Sequence, residues 1–229
     1  MSRTLTFAAL VPMRHQSDRV PEKNYRQVAG RPLYEYILDT LLQVDEITEI
    51  LIDTDSPVIA SGVRQRYLSV RLIDRPQELS GGEIPMNRII GYDLQFTKAD
   101  LVLQTHSTNP LLLPETLRGA IRTFGEKYPT VDSLFSVTRV QRRFWTADGR
   151  PLNHDPAILL RTQDLPPIFE ENSCFYIFPR EGFLVNSNRI GPTPFLFEIA
   201  AEEAFDLDTM DDLRRIEALL SSRTAVEGE

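Results

Sequence analysis

The sequence contains one cysteine, Cys174, in 229 residues. A single thiol cannot form a disulfide within the chain, and no partner for a zinc site stands near it. Such a chain suits a reducing compartment, so we expect a cytoplasmic location. The histidines are also few and too widely spaced for a zinc site: His15, His106 and His154.

Long apolar runs are missing as well. No stretch approaches the roughly 18 consecutive apolar residues that a membrane-spanning helix requires. The apolar residues 5–11 are cut short by Pro12, so we interpret them as a buried strand and not as a signal peptide. We therefore expect no membrane partner.

Positive charge is scarce, since 25 Lys and Arg face 33 Asp and Glu, a net charge of -8. Proteins that bind nucleic acid need broad Lys and Arg coverage, so we expect no nucleic-acid partner. Any phosphate ligand must then be bound by a local cluster of cations. The sequence has no nucleophile elbow, no dinucleotide-binding glycine motif and no P-loop.

Short apolar segments alternate with longer amphipathic ones. The short segments predict buried strands at residues 5–11, 50–52, 70–73, 101–104, 134–137, 175–178 and 195–199. Helical spacing predicts helices at 33–44, 59–67, 89–94 and 114–124, and from about Thr209 to Leu220. This alternation predicts an α/β fold, a Rossmann-like three-layer sandwich with a mostly parallel central sheet.

The length suits one large domain, which we expect to span residues 1–221. Within it, residues 139–168 carry four prolines and aromatic residues among charges, and are predicted to leave the sheet. An arm of this composition buries against a second subunit, or else lies as a flap over its own active site. Residues 222–229 are predicted to be a flexible tail.

The loop after the first predicted strand, residues 11–24, concentrates positive charge. Four cations fall within thirteen residues: Arg14, Arg19, Lys23 and Arg26. Guanidinium groups bind phosphate oxygens in planar, bidentate pairs, and lysine adds a compact charge. This mixture suits a nucleoside triphosphate, and the alternative is a solvated turn with unrelated charges.

Polar residues also follow the other predicted strands, at the sheet edge where ligands bind in parallel α/β folds. Arg75 suits a base edge or a phosphate, and Gln104 suits a hydroxyl or a carboxylate of a second substrate. Asp206 and Asp208, one residue apart, project to the same side of an extended chain and suit Mg²⁺. Helix capping or turn formation is the alternative role for such residues.

These residues resemble the cytidylyltransferases that activate acidic sugars, the CMP-sialic acid synthetases (acylneuraminate cytidylyltransferases), and more distantly the CMP-Kdo synthetases. The N-terminal signature of that family is matched by Pro12, Arg14, Ser17, Pro21, Lys23 and Asn24. Further matching segments follow in the family's order at 53–55, 75–79, 103–111 and 206–213. The resemblance runs through most of the chain.

The resemblance implies transfer of CMP from CTP to the anomeric hydroxyl of an acidic 3-deoxy-2-ulosonic sugar, with release of pyrophosphate. It also implies a homodimer joined through the excursion at 139–168. It assigns the sugar acid to Gln104 and Mg²⁺ to Asp206 and Asp208. Catalytic roles are expected for Arg14 and Lys23, which would stabilise charge on the phosphate oxygens, and for Asp208. The acceptor of the hydroxyl proton stays open between Asp208, a water bound to Gln104 and a metal-bound hydroxide. The residues implied to bind CTP are Arg14, Ser17, Lys23, Asn24 and Arg75. We add Arg19, which could replace the charge of the lysine that the family carries where this chain has Asp18.

Three positions depart from the family's pattern. Asp18 stands where a lysine is usual, Gly82 where an aspartate is usual, and Glu170 where sialate enzymes often carry an arginine. The identity of the sugar acid therefore stays open. Two other functions remain: a nucleotide-binding relative without catalysis, and a metal-dependent glycosyltransferase that uses Asp53-Thr54-Asp55 as its metal motif.

Overall fold

The computed structural model describes residues 5–227, and their side chains as far as Arg223. The strands in this range are β1 (Phe7–Met13), β2 (Gln27–Val28), β3 (Arg31–Pro32), β4 (Ile47–Thr54), β5 (Arg71–Asp74), β6 (Leu101–Thr105), β7 (Ser133–Val140), β8 (Ile168–Pro179) and β9 (Pro194–Glu198). The α-helices are α1 (Leu33–Leu42), α2 (Pro57–Arg66), α3 (Met86–Asp93), α4 (Pro114–Lys127), α5 (Arg180–Asn186) and α6 (Met210–Glu227).

Seven strands form one sheet in the order β5-β4-β1-β6-β8-β7-β9, and β2 pairs with β3 separately. Strands β5, β4, β1 and β6 are parallel to one another. Strand β8 runs antiparallel to β6 and β7, and β9 is parallel to β7. The predicted α/β fold with a mostly parallel sheet is confirmed.

The central strand β1 is buried along its whole length. Because side chains alternate along a strand, Ala9 and Val11 join the core on the side of α1, α2 and α4. Ala8 and Leu10 join the core on the opposite side, with Ile90 of α3. Burial on both faces is typical of a parallel strand between helical layers, and it explains the continuous apolar run in the sequence.

A third apolar cluster positions the loop after β1. Val20 of that loop and Leu207 before α6 are both fully buried, and they join Leu213 and Ile216 of α6 in one cluster. This packing holds the basic loop against the segment that carries Asp206 and Asp208. No helix among residues 5–227 is both long enough and apolar enough to cross a bilayer.

Some elements differ from their predicted bounds. The excursion from the sheet spans 141–167, because β7 continues to Val140 and β8 begins at Ile168, and these two residues pair. The paired outer halves of β7 and β8 are partly exposed and polar, so they lack the apolar run that marks a buried strand. Helix α5 lies outside the predicted set.

The last helix continues past the predicted end at Leu220 as far as Glu227. Residues 222–227, predicted as part of a flexible tail, are therefore helical. They contain neither glycine nor proline, the residues that most strongly oppose a helix, and the first such residue is Gly228. Gly228 and Glu229 lie outside the described residues.

Candidate active site

A cleft of about 330 Å³ opens beyond the carboxyl ends of β1 and β6. This is where parallel α/β sheets bind ligands, because the strand order reverses there. Eight of the nine predicted site residues line it: Arg14, Ser17, Arg19, Lys23, Asn24, Arg75, Asp206 and Asp208. Gln104, the ninth, is fully buried next to the cleft, with its amide against His106.

Asn24 fixes the shape of the basic loop. Its amide nitrogen donates to the Arg14 carbonyl over 2.7 Å, and its amide oxygen accepts from the Ser107 hydroxyl over 2.7 Å. Ser107 follows β6, so these two bonds tie the loop after β1 to the end of the neighbouring strand. In this structure Asn24 is therefore a positioning residue as well as part of the cleft wall.

Asp208 is held by two cations of the basic loop. Arg19 Nη1 donates to Asp208 Oδ2 over 2.8 Å and its Nη2 lies 2.8 Å from Oδ1, while the Lys23 ammonium lies 2.9 Å from the same Oδ1. Burial alone would raise the pKa of the Asp208 carboxyl, but Lys23 and Arg19 hold it below its usual range. Asp208 is therefore ionised and closes a compact charged cluster across the cleft.

Asp206 has a buried carboxylate oxygen, Oδ1, without a hydrogen-bond partner. Burial raises the pKa of this carboxyl, while a hydrogen bond from Thr108 and the charge of Lys23 oppose the rise. An unpartnered carboxylate oxygen two residues from the ionised Asp208 suits a divalent cation. No group of three or more metal-ligating side chains occurs in the described part of the chain, and Mg²⁺ needs only one or two carboxylates with substrate phosphates.

Helix capping does not occupy these two carboxylates. Thr209 caps α6, because its hydroxyl accepts from the Asp212 backbone N–H over 3.2 Å, and the Asp212 carboxylate accepts from the Thr209 N–H over 2.8 Å. This reciprocal pair is a capping box. The capping role that the sequence left open for Asp208 therefore belongs to Thr209 and Asp212.

The guanidinium of Arg14 passes over Gly82. A Cβ atom at position 82 would lie 2.8 Å from Arg14 Nη1, closer than such atoms approach in proteins. Asp18 lies beside the same guanidinium, 3.9 Å away, with 86% of its side chain exposed. An ion pair so exposed and so long adds little stabilising energy, so Asp18 leaves the charge of Arg14 available to a ligand.

Arg75 pairs with Asp53 at the wall of the cleft. Its Nε donates to both Asp53 oxygens over 3.0–3.1 Å, and both side chains are buried. Asp93 of α3 adjoins them, and burial together with the Asp53 charge raises the pKa of Asp93 to about 9, so its carboxyl is protonated at neutral pH. The sequence patterns did not predict Asp93 as part of this site. Because the Asp53 carboxylate is buried against Arg75, it is unavailable as a metal ligand in an Asp-x-Asp motif.

Arg189, on the loop after α5, contacts Gln104 and is a second residue that the sequence patterns missed. Its Nη1 donates to Gln104 Oε1, and the Gln104 amide nitrogen donates to the Thr105 carbonyl over 2.9 Å and to His106 Nε2 over 3.1 Å. Burial, with the charges of Arg189 and Lys23, lowers the pKa of His106 to about 3. His106 is therefore neutral, and its Nε2 accepts.

The chain is similar to known proteins along most of its length. The model of a family described as cytidylyltransferase matches residues 8–229. CMP-N,N'-diacetyllegionaminic acid synthase of Legionella pneumophila is 27% identical, over 94% of this chain and 97% of that protein. N-acylneuraminate cytidylyltransferase A of Danio rerio is 25% identical, over 88% of this chain and 48% of that protein.

Solved structures with the same fold include enzymes that bear cytidylyl names. The structure of CMP:2-keto-3-deoxy-manno-octonic acid synthetase complexed with CTP superposes with a TM-score of 0.72 at 16% identity, covering 95% of this chain and 99% of that one. A 4-diphosphocytidyl-2C-methyl-D-erythritol synthase from Anaerococcus prevotii gives 0.69 at 14% identity, with 95% and 97% covered. At these identities the likeness supports the fold alone.

Proposed function

Since the chain belongs to the cytidylyltransferase family, we propose that it transfers CMP from CTP to an acidic 3-deoxy-2-ulosonic sugar and releases pyrophosphate. The names of similar proteins, which include legionaminic, N-acylneuraminic and pseudaminic acid enzymes, support an acidic sugar as the acceptor. The observation that carries the proposal is the cluster of Arg19, Lys23 and Asp208 beside the unpartnered oxygen of Asp206.

The cations of the basic loop are proposed to bind the triphosphate of CTP. Arg14, Arg19 and Lys23 line one cleft, and a chain with a net charge of -8 has few other places where phosphate would be favoured. Arg14 would bind phosphate oxygens through its planar guanidinium, and Lys23 would bind them through its compact ammonium charge. Ser17 and Asn24 line the same wall, and Arg75 is proposed to contact the nucleotide with the part of its guanidinium that Asp53 leaves open.

Mg²⁺ is the proposed cofactor, held by Asp206 and Asp208. Bound there, it would neutralise charge on the triphosphate and stabilise the pyrophosphate that leaves. Asp208 contributes an ionised carboxylate, since its pKa lies below the usual range. That same depressed pKa makes Asp208 a weak base, so a metal ligand is the role that we propose for it in preference to proton acceptor.

In the proposed reaction the anomeric hydroxyl oxygen forms a bond to the α-phosphorus of CTP. The bond between that phosphorus and the β-phosphate oxygen breaks, the hydroxyl proton passes to solvent, and pyrophosphate departs. Charge spreads over phosphate oxygens as this happens, and Arg14 and Lys23 stabilise it from fixed positions. The fixed positions of these cations matter because the side chains need not rearrange as charge develops in the transition state.

A glycosyltransferase function is disfavoured by the state of Asp53. That carboxylate is fully buried and bonded to Arg75, while Asp55 accepts from the His15 backbone N–H over 2.6 Å. A relative without catalysis was suggested by Asp18 and Glu170. Asp18 points to solvent and leaves Arg14 in the cleft, and Glu170 is exposed on β8.

A homodimer joined by the excursion at 141–167 is also proposed. This segment exposes large apolar side chains that a monomer would leave in water. They are Trp145, Leu152, Ile158, Leu159 and Leu160. A cytoplasmic location, expected from the single cysteine, remains a prediction.

The proposed function is tested by pyrophosphate release. Purified protein is incubated with Mg²⁺, CTP and each of a panel of sialic, legionaminic, pseudaminic and Kdo-type acids. We expect release with at least one acid, dependent on both CTP and the acid. Binding of CTP without pyrophosphate release for every acid would contradict the proposal and favour a relative without catalysis.

A further inference from the structure

Arg189 is packed beside the cleft against two neutral neighbours. Its guanidinium carbon lies 3.5 Å from the centre of the Tyr176 ring, and its Nη1 donates to Gln104 Oε1. The loop that carries it is anchored to α3, because Asn188 accepts from the Asn87 side-chain amide over 3.0 Å. Arg189 therefore has a defined position although it lies in a loop.

The charge of Arg189 lacks a carboxylate partner. No ion pair to Arg189 occurs among residues 5–223, and Gln104 is the one side chain in that range that accepts a hydrogen bond from it. Glu171 lies near enough for its charge to raise the pKa of Arg189, but its carboxylate accepts a hydrogen bond from the Tyr176 hydroxyl and not from Arg189. Burial lowers the pKa of Arg189, as expected for a cation partly removed from water. A guanidinium has five N–H donors, so most of its capacity is free.

Arg189 borders the cleft through both of its neighbours. Gln104 contacts His106, and the Tyr176 hydroxyl contacts the Ser173 hydroxyl over 3.0 Å. His106 and Ser173 both line the cleft. The cations of the basic loop, proposed to bind the triphosphate, come from the loop after β1. Arg189 thus supplies a positive group from a different loop.

We propose that the Arg189 guanidinium binds the carboxylate of the acidic co-substrate, with Gln104 as the residue that positions it. A guanidinium binds a carboxylate through two parallel hydrogen bonds, and Gln104 holds the guanidinium in place by accepting from Nη1. This assignment rests on the proposed function and names the group that selects an acidic sugar. It also supplies, from the loop after α5, the positive charge that Glu170 does not provide on β8.

The test compares Arg189→Gln with Arg122→Gln, an exposed arginine of α4, as the matched control. For each variant and the parent, CTP affinity is measured by calorimetry, and kcat and KM are measured for the acid that the parent turns over best. The same acid with its carboxyl converted to a carboxamide is assayed as a neutral analogue. Unchanged CTP affinity shows that a variant is folded and that Arg189 does not serve the triphosphate.

We expect Arg189→Gln to raise KM for the acid about 10- to 100-fold, the range for losing a charge-assisted pair, with CTP affinity kept. The preference of the parent for the acid over the carboxamide should largely disappear in this variant. Arg189→Lys should recover part of the acid affinity, since it restores charge without the planar fork. Arg122→Gln should match the parent.

An unchanged KM with the preference for the acid intact would overturn the assignment and leave the proposed function standing. Loss of CTP affinity in step with acid affinity would also overturn it, because Arg189 would then act on the triphosphate or on the fold. If the parent binds CTP but neither binds nor turns over any acid, the proposed function and this assignment both fail.

Discussion

The Lys23 ammonium lies 2.9 Å from Asp208 Oδ1, which joins the loop after the first strand to a segment 185 residues later in the chain. Arg19 binds the same carboxylate, so cations suited to phosphate are held together before any ligand is present. Their fixed position comes from the apolar cluster beneath them, where Val20 and Leu207 pack. The basic loop is thus preorganised for an anionic ligand.

Removal of the Lys23 charge should slow the reaction. Lys23→Met keeps the length of the side chain and leaves Arg19 on Asp208, so the fold should persist. We expect kcat/KM for CTP to fall about 100-fold, the cost typical of losing one donor to transition-state charge. Lys98→Met, at an exposed lysine before β6, is the matched control and should be neutral. Equal activity of both variants would show that the Lys23 charge does not contribute to the reaction.

Gly82 should be required for the position of Arg14. A Cβ at 82 would come within 2.8 Å of Arg14 Nη1, so Gly82→Ala should displace the guanidinium and raise KM for CTP, by about tenfold on the basis of one weakened charged contact. Gly81→Ala is the control, because its Cβ would meet Ile84 at an ordinary 3.6 Å. Steady-state kinetics of the two variants give the comparison, and identical KM values would argue against the role of Arg14.

Asp93 should make stability depend on pH. Its pKa is about 9 in the folded protein and about 3.9 when unfolded, so the folded state holds an extra proton between these values. The contribution is fully present below the unfolded pKa and is lost as pH rises toward 9. As pH rises, the unfolding free energy of the parent should therefore fall relative to that of Asp93→Asn, by up to about 1.4 kcal/mol per pH unit.

Urea unfolding of the parent and Asp93→Asn at pH 6, 7 and 8 measures this difference. The asparagine side chain of the variant cannot gain or lose a proton in this range, and the titration of groups that do not contact position 93 cancels between the two proteins. A stability difference that stays constant across the three pH values would contradict a protonated Asp93.

The excursion should hold the dimer together. Leu159 is 90% exposed within it, and Leu159→Glu should raise the dimer dissociation constant at least tenfold by placing a charge in an apolar contact. Leu68, 88% exposed in the turn before β5, offers Leu68→Glu as a control that should leave the dimer intact. Sedimentation equilibrium measures both. A parent that is monomeric at all concentrations would exclude the dimer.

The sheet was predictable because its central strands are continuous apolar runs, and the cleft was predictable because polar residues follow those runs. Asp93 and Arg189 were not predictable, since each acquires its role from a partner distant in sequence. Asp93 meets Asp53 only after α3 packs on the sheet, and Arg189 reaches Gln104 from a loop 85 residues away. No local pattern marks such pairings.

Asp206→Asn tests the account most directly, in an assay that follows formation of the CMP-sugar product by mass spectrometry across a Mg²⁺ titration. The parent should form product with CTP and an acidic 3-deoxy-2-ulosonic sugar, and Asp206→Asn should be at least about 100-fold slower and need more Mg²⁺. Asp211→Asn, at an exposed carboxylate on α6, should behave as the parent. Full activity of Asp206→Asn with an unchanged Mg²⁺ requirement would contradict the account.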